Sequence, residues 1–181
     1  IFSAFMNGYV KPYVLDCVLK EMNNSQHEIV NYINQLNYRN PYQNKVNACT
    51  DITGFGLLGH LSEMLETTNV ERTKTNLEPV KIIIQLNNIP IYQGLKELLD
   101  NGFESTLAPS NKLFLRNIDG HKKLRFELIY DDLAPNILSY DSMLKVLVDP
   151  QTCGPLLISC SPAFSDKLIK KGPWKKIGFV S

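Results

Sequence analysis

Apolar residues recur at helical spacing in several stretches of this chain, with short β-branched runs between them. Behind Pro12, which suits a first helical turn, Leu15, Val18, Leu19 and Met22 fall three or four positions apart, so a helix is expected over 12–22, ended by Asn23 and Asn24. Ser25 and Glu28 have the spacing of a capping box, and Ile29, Ile33 and Leu36 mark one face of a second helix. The Asn- and Tyr-rich segment 37–47 reads as a connecting loop. A short strand is expected over 46–50, and helical spacing returns behind it in Phe55, Leu58, Leu61 and Leu65. A buried strand over 80–86 precedes a helix over 92–99 that Asn101 and Gly102 stop. Residues 103–119 are irregular. A strand is expected over 124–130 and a helix over 140–148 with Met143, Leu144 and Leu147 inward. At the end, a strand over 156–159, a helix capped by Ser161 with Pro162 in its first position and Phe164, Leu168 and Ile169 inward, and a strand over 176–180 form a β-α-β unit.

Composition narrows the class. A chain of 181 residues, 44% hydrophobic and 20% charged, has the make-up of a globular domain able to bury a core. Its net charge of +1 gives no broad electrostatic reason to bind nucleic acid or an anionic membrane. The basic groups Lys122, Lys123, Arg125 and Lys170, Lys171, Lys175, Lys176 are expected on the solvated surface. With no apolar run near the roughly 18 residues of a membrane span and no signal peptide at Ile1, a cytoplasmic location is expected. The start at Ile1, directly in an apolar and aromatic run, reads as a piece of a longer protein. Cys17, Cys49, Cys153 and Cys160 form neither a C-x-x-C pair nor a dense disulfide pattern, so reduced thiols are expected. His27, His60 and His121 stand apart from any close cysteine pair and give little support for structural zinc.

The chemistry concentrates in Thr50-Asp51-Ile52-Thr53-Gly54-Phe55-Gly56-Leu57-Leu58-Gly59-His60-Leu61-Ser62-Glu63-Met64, an acidic strand end running into a glycine-opened helix. Glycines there let backbone N–H groups approach an anion at the positive end of a helix dipole, and a preceding aspartate can hold the divalent cation that accompanies phosphates. The glycines equally fit a turn in which helix and strand simply pack closely. Asp51 equally fits a cap or turn former, and the Thr50 and Thr53 hydroxyls suit either phosphate or local backbone. His60 fits a packing role or a substrate contact, while Glu63 is expected to be solvated or paired. Gly54, Gly56 and Gly59 satisfy G-x-G-x-x-G, but the polar segment 70–78 lacks the second strand and terminal acid of a dinucleotide fold.

This stretch resembles the second-half signature of the selenophosphate synthetase (selenide, water dikinase) family. The match recurs about ninety residues later in Leu147-Val148-Asp149-Pro150-Gln151-Thr152-Cys153-Gly154-Pro155-Leu156-Leu157-Ile158-Ser159. The family usually continues Asp-Pro-Gln-Thr with Ser-Gly-Gly, whereas this chain has Cys153-Gly154-Pro155; Pro155 removes one N–H donor and with it any anion bond from that amide. The resemblance implies an α+β fold, a mixed sheet with helices packed on it, of the type shared with aminoimidazole ribonucleotide synthetase. It implies a single C-terminal domain of a two-domain protein, with 1–45 a helical lead-in and 46–181 the α+β body. The implied reaction converts ATP, selenide and water to selenophosphate, AMP and orthophosphate with Mg2+ as cofactor, in a homodimer with the chain's own N-terminal domain. Asp51 is then the magnesium ligand, with Thr50, Thr53, Gly54 and Gly56 at the nucleotide. The reactive cysteine or selenocysteine, its lysine and further aspartates belong upstream, so none of the four cysteines here takes that role and the isolated piece is expected to be inactive. Two other readings stay open: another ATP-using enzyme of the same superfamily, and a non-catalytic paralogue, suggested by Cys153 and Pro155.

Overall fold

The structure, a computed structural model, describes residues 1–39, 46–117, 126–134 and 138–181. Helix α1 (Phe2–Met6) leads into α2 (Pro12–Met22), whose first residue is the proline and whose Val14 and Val18, one turn apart, are buried. The turn after α2 ends at Ser25, whose Oγ accepts the amide hydrogen of His27 at 3.2 Å as α3 (His27–Arg39) begins. That helix runs into the segment expected to be a loop, and the rest of that expectation, 40–45, lies outside the described residues. So do His121, Lys122, Lys123 and Arg125.

Strand β1 (Val46–Asp51) is followed by α4 (Gly56–Lys74). Residues 56–62 of α4 are buried in succession, so its first turns carry no single apolar stripe; they are enclosed on all sides. Phe55, expected inward, instead flanks the helix start and is half exposed. Then come β2 (Ile82–Gln85), α5 (Leu95–Asp100), α6 (Ala108–Asn111) and a 3-10 turn over Lys112–Asn117. Helix α5 is shorter than its apolar pattern because Gly94, at φ 80°, precedes it. The segment expected to be irregular holds α6 and the 3-10 turn. Strand β3 (Phe126–Ile129) falls inside the expected 124–130, and α7 (Tyr140–Val148) matches its expected bounds, capped by Ser139 Oγ accepting from the Ser142 amide. Strand β4 (Leu156–Cys160), α8 (Pro162–Lys171) and β5 (Gly178–Val180) complete the chain.

The fold is α+β, with two separate sheets among the described residues. In the mixed sheet, β2 lies centrally, parallel to β3 and antiparallel to β5; β1 and β4 form an antiparallel pair. The expected β-α-β unit therefore does not exist as one sheet. Its helix packs elsewhere: Phe164 and Leu168 of α8 bury against Ile33 of α3, with Ile158 and Trp174 around them, while β5 leaves to join β2. Ile169 points outward, and the Ser161 hydroxyl, expected to cap α8, is buried without a partner among the described residues. The larger core gathers Leu58 and Leu65 of α4, Ile84 of β2 and Leu147 and Val148 of α7, all at most 2% exposed. Each such side chain contributes about 1.5–3 kcal/mol of burial. This core fixes the start of α4 against the end of α7, which sets the geometry of the site.

Candidate functional site

The two motifs form one structure. Strand β1 pairs with β4 in the register Asp51↔Leu156, and the amide of Ile52 donates to the Pro155 carbonyl at 3.0 Å, carrying the ladder one residue further. An antiparallel pair at that place would return a bond from the residue-155 amide to Ile52, and proline has none to give. The departure at Pro155 therefore falls on the ladder. Past Ile52 the chain turns, and the Thr53 carbonyl accepts both the Gly56 amide and the Gln151 amide at 3.0 Å. The Gly54 carbonyl accepts from Asn111 Nδ2 at 2.8 Å, and the same nitrogen reaches the Val148 carbonyl at 3.0 Å.

Two glycines make this approach possible. Gly56 adopts φ 68°, and a Cβ there would sit 2.8 Å from the Val148 carbonyl carbon at the end of α7. A Cβ on Gly154 would lie 2.0 Å from the Ile52 carbonyl oxygen. Gly54 differs, since a Cβ there meets nothing within 4 Å among the described residues. The packing account thus describes Gly56, whose N–H is spent on Thr53, while Gly54 stands open at the turn.

Asp51 and Thr53 open into a cleft of about 380 Å³. Its far wall is the α2–α3 turn with Asn24, Ser25 and Gln26, and Thr152, Cys153 and Gly154 line its side. Gln26 Nε2 donates to the Gly154 carbonyl at 2.9 Å, and Cys153 Sγ lies 3.5 Å from the Met22 carbonyl. The Asp51 side chain is exposed and makes no hydrogen bond or ion pair with any described residue. It does not cap α4, which begins at Gly56 without a side-chain cap. Thr50, with the opposite strand parity, lines a separate groove of about 590 Å³ beside Glu63, Thr67 and Arg72, and its hydroxyl bonds the Asp51 carbonyl at 3.2 Å. The structure therefore joins Asp51 and Thr53 in one cleft and places Thr50 outside it.

His60 is a positioning residue. Its Nε2 accepts the Thr53 amide at 3.0 Å and lies 3.1 Å from the Thr53 hydroxyl, while Nδ1 is 3.3 Å from a Glu63 carboxylate oxygen. An Nε2 that accepts a backbone N–H carries no proton, so the neutral ring holds its hydrogen on Nδ1, facing Glu63. His27 lies on the surface with Asn31. Burial, then the charge of Asp51, pushes the Cys49 thiol up, and burial does the same to Cys160, so neither is a ready thiolate at neutral pH. Burial also raises the Asp149 carboxyl, partly offset by a hydrogen bond from Gln151. Behind the site, a hydrogen bond from Lys112 holds Glu104 below the usual carboxylate range, with the charges of Lys112 and Lys145 helping and burial opposing.

Carboxylate and hydroxyl oxygens are the donors a hard divalent cation takes. Asp51 and Thr53 match that chemistry, but the described residues contain no group of three His, Cys, Asp or Glu side chains able to hold a metal. Asn111 and Gln26 escaped the sequence reading: nothing local marks an asparagine whose bonds go to carbonyls 57 and 37 residues away, or a glutamine reaching across 128.

The profile of the AIR synthase related protein, C-terminal domain, family matches residues 25–171. Among curated proteins, a selenide, water dikinase of Caldanaerobacter subterraneus subsp. tengcongensis is 31% identical over 144 residues, covering 80% of this chain and 35% of that protein. One from Geobacter metallireducens is 35% identical over 125 residues, 69% of this chain and 29% of its own length. One from Clostridioides difficile is 29% identical over 168 residues, 93% and 39% respectively. The chain thus spans about a third of the length of the curated relatives it matches.

Proposed function

We propose that this chain, which belongs to the family of AIR synthase related protein C-terminal domains, is the C-terminal half of a selenophosphate synthetase. The complete enzyme converts ATP, selenide and water to selenophosphate, AMP and orthophosphate as a homodimer. Its remaining length supplies the reactive cysteine or selenocysteine, the lysine and further carboxylates. The observation that carries the reading is Asp51: a carboxylate without a partner among the described residues, beside the Thr53 hydroxyl, on a turn held by both motifs.

In this role Asp51 is one ligand of the magnesium that accompanies the nucleotide, with phosphate oxygens, water and groups from the rest of the protein as the others. When bound, the ion neutralises charge along the triphosphate. The chain's own residues set the position of the ligand. The β1–β4 ladder aims the Asp51 carboxylate into the cleft, and His60, oriented by Glu63, pins the Thr53 amide next to it. Gly54, at the open apex, leaves room for a phosphate to approach the backbone.

The test is Asp51→Asn in the complete protein, which keeps size and removes the charge. Magnesium- and selenide-dependent AMP release is expected to fall at least about a hundredfold, about 2.7 kcal/mol of barrier, with an unchanged melting temperature. A variant with wild-type magnesium dependence would remove Asp51 from the metal site, and one that melts early would assign it a structural role.

A further inference from the structure

We infer that Asn111 is the positioning residue that fixes the Asp51 turn against the second motif. Asn111 is 5% exposed at the end of α6, and it is not part of the cleft lining. A side-chain amide has two N–H donors, and Asn111 has a receiver for each: the Gly54 carbonyl at 2.8 Å and the Val148 carbonyl at 3.0 Å. Val148 ends α7, where carbonyls lack helical partners, and the second motif departs from that point. Gly54 is the apex of the Asp51–Gly56 turn. It carries no side chain, no atom of the described residues beyond its neighbours lies within 4 Å of its Cβ direction, and its carbonyl is held by Asn111. The Ile52–Pro155 and Gln151–Thr53 bonds secure one side of that turn, and Asn111 secures the other. Helix α6 is itself tied down next to α7, since Glu104 pairs with Lys112 at 2.7 Å, directly after Asn111, and with Lys145 of α7 at 3.4 Å.

The molecule contains its own control. Asn69, 7% exposed, makes an equivalent two-bond clamp on Val80, donating to its carbonyl at 3.0 Å and accepting its amide at 2.8 Å, further along α4 and outside the cleft. Loss of either clamp should lower the melting temperature; only loss of Asn111 should reach the site.

The experiment compares Asn111→Ala and Asn69→Ala in the complete protein by melting, by amide hydrogen exchange over residues 50–56, and by the magnesium dependence of AMP formation. The magnesium measurement rests on the proposed function; the exchange measurement does not. Asn111→Ala is expected to speed exchange over 50–56 and to raise the magnesium half-saturation about tenfold, with the rate at saturating magnesium near wild type. Asn69→Ala is expected to change neither. Unchanged exchange in Asn111→Ala, or the same changes in Asn69→Ala, overturns the inference. Faster exchange with unaltered magnesium dependence reduces Asn111 to a structural brace and likewise overturns it. A wild-type protein without selenide-dependent activity refutes the proposed function instead, and the exchange comparison alone then decides on Asn111. Should an alanine variant fail to fold, Asn111→Ser and Asn69→Ser, which keep a hydroxyl donor, are compared by the same criteria.

Discussion

The cleft has two walls built by different means. The wall that carries Asp51 and Thr53 is stitched by backbone bonds from Ile52 to Pro155 and from Gln151 to Thr53, and by two glycines where no Cβ fits. The opposite wall, the α2–α3 turn, reaches the second motif through Gln26 at 2.9 Å and a long thiol contact from Cys153. One wall is defined by close backbone approach, which tolerates almost no change of shape; the other rests on side chains that can be exchanged. A charged ligand must be held within a fraction of an ångström, and Asp51, for which we propose that role, sits on the first wall.

Gly154→Ala tests the stitched wall most severely. The new methyl carbon would have to displace the Ile52 carbonyl from 2.0 Å, and a loss of about 3 kcal/mol is expected in denaturant unfolding. A near-neutral result would show that this wall yields, and the contrast between the walls would disappear. On the looser wall, Gln26→Ala removes one hydrogen bond whose acceptor faces the cleft, so a loss of about 1 kcal/mol is expected. A larger loss in thermal melts would show that the α2–α3 turn is as firmly built as its partner. Pro155→Ala restores an amide to the ladder and releases chain entropy in the unfolded state; these oppose, and a net change under about 1 kcal/mol is expected. Smallest of all, Cys153→Ser should leave activity of the complete protein within about twofold, since its thiol is exposed and its hydrogen bond goes to the Met22 carbonyl, which a serine hydroxyl can also reach. A tenfold loss in AMP release would give Cys153 a chemical part in the cleft.

The contrast also sets what the sequence could reveal. Helices α2 and α7 follow the expected bounds because their apolar spacing, the proline at 12 and the serine at 139 act locally. The motif turn was legible as a strand end running into a glycine-opened helix. Its partnership with the second motif is a matter of tertiary pairing, as is the separation of β4 and β5 into different sheets, which depends on where α8 finds apolar surface. Phe55 was misread because a helix start enclosed on all sides breaks the periodicity that a half-buried helix shows. Thr50 and Thr53 look equivalent in sequence, yet they open into different hollows, Thr50 on the far face of β1 and Thr53 in the turn beyond it.

The pairing of Asp51 with Leu156 also imposes an order in time. Roughly a hundred residues separate the two, so a growing chain that emerges at about 5–20 residues per second exposes the Asp51 turn on the order of 5–20 s before its partner strand exists. Through that interval β1 is an unpaired edge and the enclosed start of α4, with Leu57, Leu58 and Leu61, has no α7 to cover it. The Asp51 turn is therefore among the last parts of this region to take shape. The stretch to which we assign the chemistry of the finished protein is also, during its synthesis, a stretch that needs shielding from other chains.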